Sequence, residues 1–439
     1  MKAFEFKPKL FTTLKNYSKE SFMADLMAGI IVGIVALPLA IAFGIASGVS
    51  PEKGIITAIV AGFIISLLGG SKVQIGGPTG AFIVIIYGII QEYGISGLTV
   101  ATLMAGVLLV LLGVFKLGAV IKFIPYPIIV GFTSGIAVTI FTTQIADIFG
   151  LNFGGEKVPG DFIGKWMIYF RHFDTVNWWN AIVSVVSVFI IAITPKFSKK
   201  IPGSLISIIV VTIAVYLMKT YGGITCIDTI GDRFTIQSQL PDAVVPELNW
   251  EAIKNLFPVA ITIAVLGAIE SLLSAAVADG VIGDRHDSNT ELIAQGAANI
   301  IAPLFGGIPA TGAIARTMTN INNGGKSPVA GIIHAVVLLL ILLFLMLGVL
   351  LYTFTARQGI ENPGKSDELF PMIATGNYFP GIVGILFIIG LIASAYSAAG
   401  SALTALTTSF TVDILNAHKK DEAALSKIRK HVHLSLIHI

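Results

Sequence analysis

The chain has 439 residues, of which 55% are hydrophobic and only 12% charged, with a mean hydropathy of +0.87. A soluble domain carries about 25% charged residues, so composition excludes a water-soluble globular protein, and the net charge of +3 points to no nucleic-acid partner. The single cysteine, Cys226, excludes an internal disulfide and a cysteine metal cluster.

Residues 1–20 are lysine-rich and amphipathic, with Lys2, Lys7, Lys9, Lys15 and Lys19; no short apolar core with a small-residue cleavage site stands there. Apolar runs then follow at roughly 22–48, 54–69, 77–92, 97–115, 121–149, 179–195, 202–219, 254–278, 288–303, 311–322, 328–351 and 380–415. Runs such as DLMAGIIVGIVALPLAIAFGIA reach the ~20 residues that cross a bilayer. Each must be helical, because lipid offers the backbone no hydrogen-bond partner. The stretches 150–178 and 220–253 carry Trp, Tyr and Pro and read as ordered or interfacial exterior segments. Threading the spans alternately gathers Lys72, Lys116, Lys196, Lys199, Lys200, Arg285 and Lys326 on the side of the N-terminus, with Lys419, Lys420, Lys427, Arg429 and Lys430 in the tail. The positive-inside rule then places both termini in the cytoplasm.

Two short stretches echo each other. Gly76-Gly77-Pro78-Thr79-Gly80-Ala81 recurs as Gly306-Gly307-Ile308-Pro309-Ala310-Thr311-Gly312-Ala313. Each follows extended residues and opens an apolar helical run. Pro and Thr at a helix start, with Gly for close approach, leave backbone N–H groups able to face an anion. Short, Gly/Pro-interrupted segments in two halves of an apolar chain are the mark of half-helices at a midplane transport site.

Between these repeats lies Glu270, inside a long apolar helix, where a carboxylate is costly and by default faces a cavity or pathway. Ser274, four residues on, shares its face. The pair could bind Na⁺ through oxygen or carry a proton; otherwise Glu270 merely bonds to a neighbouring helix. Arg316, one turn past Gly312 and Ala313, either adds to a positive field for an anion or forms a structural ion pair with Glu270. Ser288 to Glu291 fits a capping box at the start of the next helix, and Arg285, His286 and Asp287 read as loop structure because zinc-type ligand spacing is missing. No phosphate loop, Ser/His/Asp arrangement or H-E-x-x-H motif is present, so the expectation is a gradient-driven transporter without cofactor, save for possible Na⁺, and not an enzyme.

These residues resemble the sulfate permease (SulP) family over about residues 20–345. PLAIAFGIASGVSPEKG is similar to its first helix, residues 124–150 to its fifth, and RHDSNTELIAQGAANIIAPLFGGIPATGAIARTMTN to its ninth and tenth. The resemblance implies an all-α polytopic membrane protein of uracil-permease-like, inverted-repeat fold. It implies a pocket at Phe43, Thr79, Gly80, Ala81, Gly312, Ala313 and Arg316, with Glu270 as coupling carboxylate and Ser274 as a Na⁺-ligand hydroxyl. It further implies an elevator mechanism, a small oxyanion substrate (sulfate or bicarbonate), a bacterial plasma-membrane location and a homodimer. An uncoupled anion channel on the same fold is the first rival. Ala315 stands where many members have Ser.

After about Leu345 this pattern stops, leaving the second repeat incomplete. Residues 346–415 are similar instead to sodium:solute symporters, whose Na⁺ site would use the region of Ser397 and Thr408. The basic tail 416–439 ends in LSLIHI, which reads as non-native. The domains expected are therefore 1–20, a truncated transporter domain 21–345, a symporter-like fragment 346–415 and the tail. A chimeric, non-functional reading frame and a sodium:solute symporter are the remaining alternatives.

Overall fold

A computed structural model describes residues 6–119, 126–156, 158–159, 161–197, 203–233, 246, 250–361, 363, 366–376, 378–409, 428 and 432. The chain divides into two compact units, Met1–Met346 and Leu347–Ile439.

The first unit opens with a short helix α1 (Lys9–Thr13), then α2 (Lys19–Ala46) and α3 (Pro51–Leu68). Strand β1 (Gly76–Gly77) and a 3-10 turn at Gly80–Phe82 lead into α4 (Ile83–Val114), which breaks at Gly94 (φ 68°, ψ −173°). The separate runs expected at 77–92 and 97–115 are thus the two limbs of one broken helix, since Gly is the residue that reaches positive φ without steric cost. Next come α5 (Tyr126–Phe149), α6 (Phe162–Arg171), α7 (Trp178–Phe197), α8 (Gly203–Tyr221), the single turn α9 (Ile230–Arg233) and α10 (Trp250–Ile282). Then follow α11 (Ser288–Ile301), β2 (Thr311–Gly312), α12 (Ile314–Asn322) and α13 (Pro328–Gln358). Seven of the described helices are long and apolar enough to cross a membrane. The all-α expectation holds apart from the two-residue strands, which pair antiparallel.

Small residues decide which helices touch, as they do where lipid is no worse a solvent than a neighbouring helix. The α4 helix packs mainly on α11 and then on α10. At the α4–α11 crossing Gly106 faces Gly296 so closely that a Cβ on Gly296 would lie 2.6 Å from the Gly106 carbonyl oxygen. Around this crossing Phe82, Ile86, Leu109, Ile263, Leu272 and Leu292 form the largest buried cluster. On α2, Gly29 and Gly33 let α13 approach through Ala330, Ile333 and Val337. By contrast α7 and α8 present Val185, Phe189, Ile209 and Ile213 outward, as lipid-facing helices must.

The start of α13 is capped from the other end of the chain. Asp25, fully buried in α2, accepts the Lys326 N–H at 2.6 Å and the Ser327 N–H at 3.1 Å. Its second oxygen accepts the Ser327 hydroxyl at 2.5 Å and the Tyr17 hydroxyl at 2.6 Å. Nearby, Asp284 receives both Lys9 (3.2 Å) and Lys72 (2.9 Å). Its burial works against ionisation, yet bonds from Lys72, the Arg285 backbone and Lys9 prevail and hold the carboxyl down at about 2.

The capping box expected at Ser288–Glu291 is not formed. Asp287 is the N-cap, accepting the N–H groups of Asn289 (3.0 Å) and Thr290 (2.9 Å). Its carboxylate lies one residue earlier and fits the cap geometry. Glu291, fully buried, turns away to accept the N–H groups of Gly70 (2.8 Å) and Ser71 (3.2 Å).

Within the second unit, α14 (Leu369–Thr375) packs on α15 (Gly381–Ser409), with the Phe370 and Phe387 rings 5.1 Å apart at 77°. The side chains of Ser397 and Thr408, and the basic residues of the tail, lie outside the described residues.

The glycine crossing makes a contrast testable. Gly296→Val should separate α4 from α11 at a cost of about 1–3 kcal/mol, lowering the melting temperature of the detergent-purified protein. Gly280→Ala, where a Cβ meets nothing within 4 Å, should leave it unchanged or raise it, since Ala is the better helix former.

Candidate functional site

The site is built on the two glycine-rich stretches. Strands β1 and β2 align Gly76 with Gly312 and Gly77 with Thr311, and the Ala313 N–H extends the ladder to the Ile75 carbonyl at 2.9 Å. This pairing answers a problem peculiar to an apolar interior: an unwound backbone there must find its partners in other protein. The first helix start, the turn at Gly80–Phe82, and the second, α12 at Ile314, therefore emerge from one shared ladder.

Arg316 fastens it. The guanidinium, 2% exposed, donates to the Gly76 carbonyl at 3.4 Å and to the Pro78 carbonyl. Gly77 has φ +146°, and a Cβ there would strike that guanidinium, so the glycine is required twice over. No ion pair joins Arg316 to Glu270 among the described residues. The expected pairing with Glu270 is replaced by a role the sequence did not suggest, the clamping of two backbone carbonyls.

Helix α10 supports both starts at once. The Glu270 carboxylate accepts the Thr79 hydroxyl at 2.8 Å, on the first start. One turn on, the Ser274 hydroxyl donates to Thr317 at 3.4 Å, on the second, and Thr317 in turn accepts the Ile75 N–H at 3.0 Å. Glu270 and Ser274 thus share a helix face, as their spacing implies, but are each engaged by a different half-helix. Ser271, between them, accepts the Gly312 N–H at 3.2 Å and meets the Thr311 hydroxyl at 2.5 Å, and its carbonyl accepts Gln74 Nε2 at 2.9 Å. From α11, Asn299 clamps both backbone groups of Ala310, accepting its N–H at 2.9 Å and donating to its carbonyl at 2.8 Å.

The amides of Gly312 and Ala313 are thereby taken by protein acceptors. Those with no side-chain cap belong to the turn that Thr79 opens and to the first turn of α12, opened by Ala313. Such first-turn N–H groups, with the helix dipole behind them, are suited to an anion. Over the first start, Gly80 lies beneath Ile140 and Phe43, whose ring edge would stand 3.5 Å from a Cβ on it. Phe43, Thr79, Gly80 and Ala81 therefore gather with Glu270 at one start, while Gly312, Ala313 and Arg316 stand at the other. Ser271, Gln74 and Asn299 are not singled out by the sequence, and Thr311 only as a member of the echoed stretch. Ser271 and Asn299 carry one signal, a polar residue in an apolar helix, which names no partner.

The Sulfate permease family profile matches residues 22–354. The putative sulfate transporter YvdB of Bacillus subtilis (strain 168) is 50% identical over 329 residues, covering 75% of this chain and 61% of that protein. The bicarbonate transporter BicA of Picosynechococcus is 32% identical over 303 residues, covering 66% of this chain and 52% of that protein. The chain thus spans less than two thirds of the length of these relatives. Among solved structures, the transmembrane domain of a cyanobacterial BicA superposes with a TM-score of 0.67 at 30% identity, over 75% of this chain and 84% of that one. SLC26A9 gives a TM-score of 0.66 at 19% identity, over 76% and 56%, a likeness of fold.

The clamp role of Arg316 is open to direct test. Arg316→Lys loses the fork that spans two carbonyls and should lower the melting temperature, with no anion present, by the equivalent of about 1–3 kcal/mol. An unchanged melting temperature would assign the guanidinium to something other than the ladder.

Proposed function

Because the chain belongs to the sulfate permease family, we propose that it carries a small inorganic oxyanion, sulfate or bicarbonate, across a bacterial plasma membrane. The observation that carries this reading is the ladder of Gly76 with Gly312, which sets two uncapped helix starts beside one carboxylate-bearing helix. Relatives named as sulfate and bicarbonate transporters support the substrate class. The anion is held between the amides that follow Thr79 and those of the first turn of α12. Phe43, Gly80, Ala81, Gly312 and Ala313 shape the space, and Arg316 contributes positive charge from beneath.

Glu270 couples the movement to Na⁺ or H⁺, with Ser274 as the neighbouring hydroxyl; its contact with Thr79 makes the coupling group an immediate neighbour of the anion's helix start. In an elevator cycle, α2–α4 and α10–α13 move as the body that bears the site, past α5, α7 and α8. Both termini are cytoplasmic, in keeping with the lysines of the N-terminal segment, and the protein works as a homodimer. Residues beyond about 346 are read as a segment of other origin.

Uptake of labelled sulfate and bicarbonate into proteoliposomes containing the full chain tests the reading. Accumulation should follow an imposed Na⁺ or H⁺ gradient; anion flux indifferent to both would instead identify a channel. Glu270→Gln, which keeps the shape and removes the charge, should cut gradient-driven uptake by about tenfold or more, or about 1.4 kcal/mol, with the protein still in the membrane. Concentrative uptake at the wild-type level would reject the coupling role. Ala313→Leu should abolish sulfate-induced thermal stabilisation from the half-helix site, and persistence of a full-sized shift would move the pocket elsewhere.

A further inference from the structure

A second place in the first unit has the makings of an anion site. Helix α2 is about 42 Å long, and its N-terminal end lies with Tyr17, Lys326 and Ser327 around Asp25. Around its other end, at Pro38 to Ala46, opens a cavity of 370 Å³. Helix α6 closes one wall. Asp161 caps its start, accepting the Gly164 N–H at 2.6 Å, and Ile168 and Tyr169 bury against Ile145 of α5. That docking fixes Lys165, which is only 7% exposed and lines the cavity.

The Lys165 ammonium sits 5.4 Å from the centre of the Tyr87 ring. That ring is itself anchored, its hydroxyl donating to the Val158 carbonyl at 2.9 Å. Among the described residues no ion pair or hydrogen bond of Nζ accompanies this contact. Two carboxylates share the cavity without pairing to Lys165: Asp147 has a partner of its own, and Asp228 is exposed at the rim. Burial pushes the Lys165 ammonium below the usual lysine range, with Asp161 pulling the other way. A buried ammonium that faces a cavity and is paired to neither of its carboxylates is stabilised by an anion that enters beside it.

The cavity also abuts the half-helix site. Thr143 and Gln144 line it, and Ile140, one turn earlier on α5, is the residue that covers Gly80 together with Phe43. The two spaces therefore share α2 and α5 as walls, with Phe43 and Ile140 on the side of Gly80. The geometry points to a second anion subsite, in which a small inorganic oxyanion rests against Lys165 Nζ before passing the Phe43–Ile140 layer to the paired helix starts. The inference deepens the oxyanion-transport reading and rests on it.

Sulfate binding to the detergent-purified full chain, followed by titration calorimetry, tests the subsite apart from transport. Wild type should take two sulfates and Ala313→Leu one, through Lys165. Adding Lys165→Gln to Ala313→Leu should remove that remaining site, whereas Lys165→Arg should retain it. Gln144→Glu leaves Lys165 in place and sets a carboxylate in the same cavity; in the Ala313→Leu background it should weaken binding about tenfold, the scale of one like charge in a partly solvated site. No binding to Ala313→Leu, or binding indifferent to both Lys165→Gln and Gln144→Glu, would overturn the subsite. If proteoliposomes of wild type move neither anion while Lys165-dependent binding remains, the transport reading falls and the subsite stands. If they do move it while binding ignores Lys165, the subsite alone falls.

Discussion

The backbone between Gly76 and Pro78 has to be hydrogen-bonded in a place where neither water nor helix can do it, and the rest of the first unit is arranged around that need. A two-residue ladder with Thr311 and Gly312 supplies part of the bonding. Arg316 supplies the carbonyl end, while Ser271 and Thr317 hold the flanking amides of Gly312 and Ile75. Glycine at 77 follows because a side chain would collide with the guanidinium. Helix α11 is placed by the same need, since Asn299 reaches Ala310 from it. Polar groups that would be costly alone are acceptable here because the network is closed almost completely.

Closure of this kind makes the two half-helix starts one mechanical object. A movement of Thr79 is felt at Glu270, and a movement of Thr317 at Ser274, and both report to the same helix. An ion that altered the hydrogen bonding of Glu270 would therefore act on the first start directly and on the second through α10. Coupling of cation and anion needs no long pathway in such an arrangement, only two bonds on successive turns of one helix.

The apolar runs made most of the fold legible: those at 22–48, 179–195, 202–219 and 328–351 lie on α2, α7, α8 and α13, because span length is a property of hydrophobicity alone. The echoed glycine stretches likewise marked the two interrupted starts. What periodicity could not give was the choice between local partners. Asp287 displaced Ser288 as cap, freeing Glu291 to hold Gly70 and Ser71 across the fold. The same limit applies to Arg316, whose two candidate roles were a substrate field and a pairing with Glu270, whereas its bonds run to carbonyls some 240 residues upstream. Long-range hydrogen bonding leaves no periodic trace, so Ser271 and Asn299 read as ordinary residues in apolar helices. Helix α6, within a stretch recognisable only as ordered exterior, was hidden because its 10 residues are too short for a span.

The Asp25 cap has a consequence for how the protein is made. Its partner Lys326 is 301 residues further along the chain. At about 5–20 residues per second, synthesis needs roughly 15–60 s to supply it. Through that interval α2 carries a carboxylate whose final donors do not exist, and β1 likewise awaits β2. The early helices must therefore stand in the bilayer as a loose, partly hydrated group that only the later segment locks. Assembly of this unit is an event of late synthesis, and a ribosome halted before Ser327 leaves behind inserted helices without the ladder or the buried Asp25 contacts.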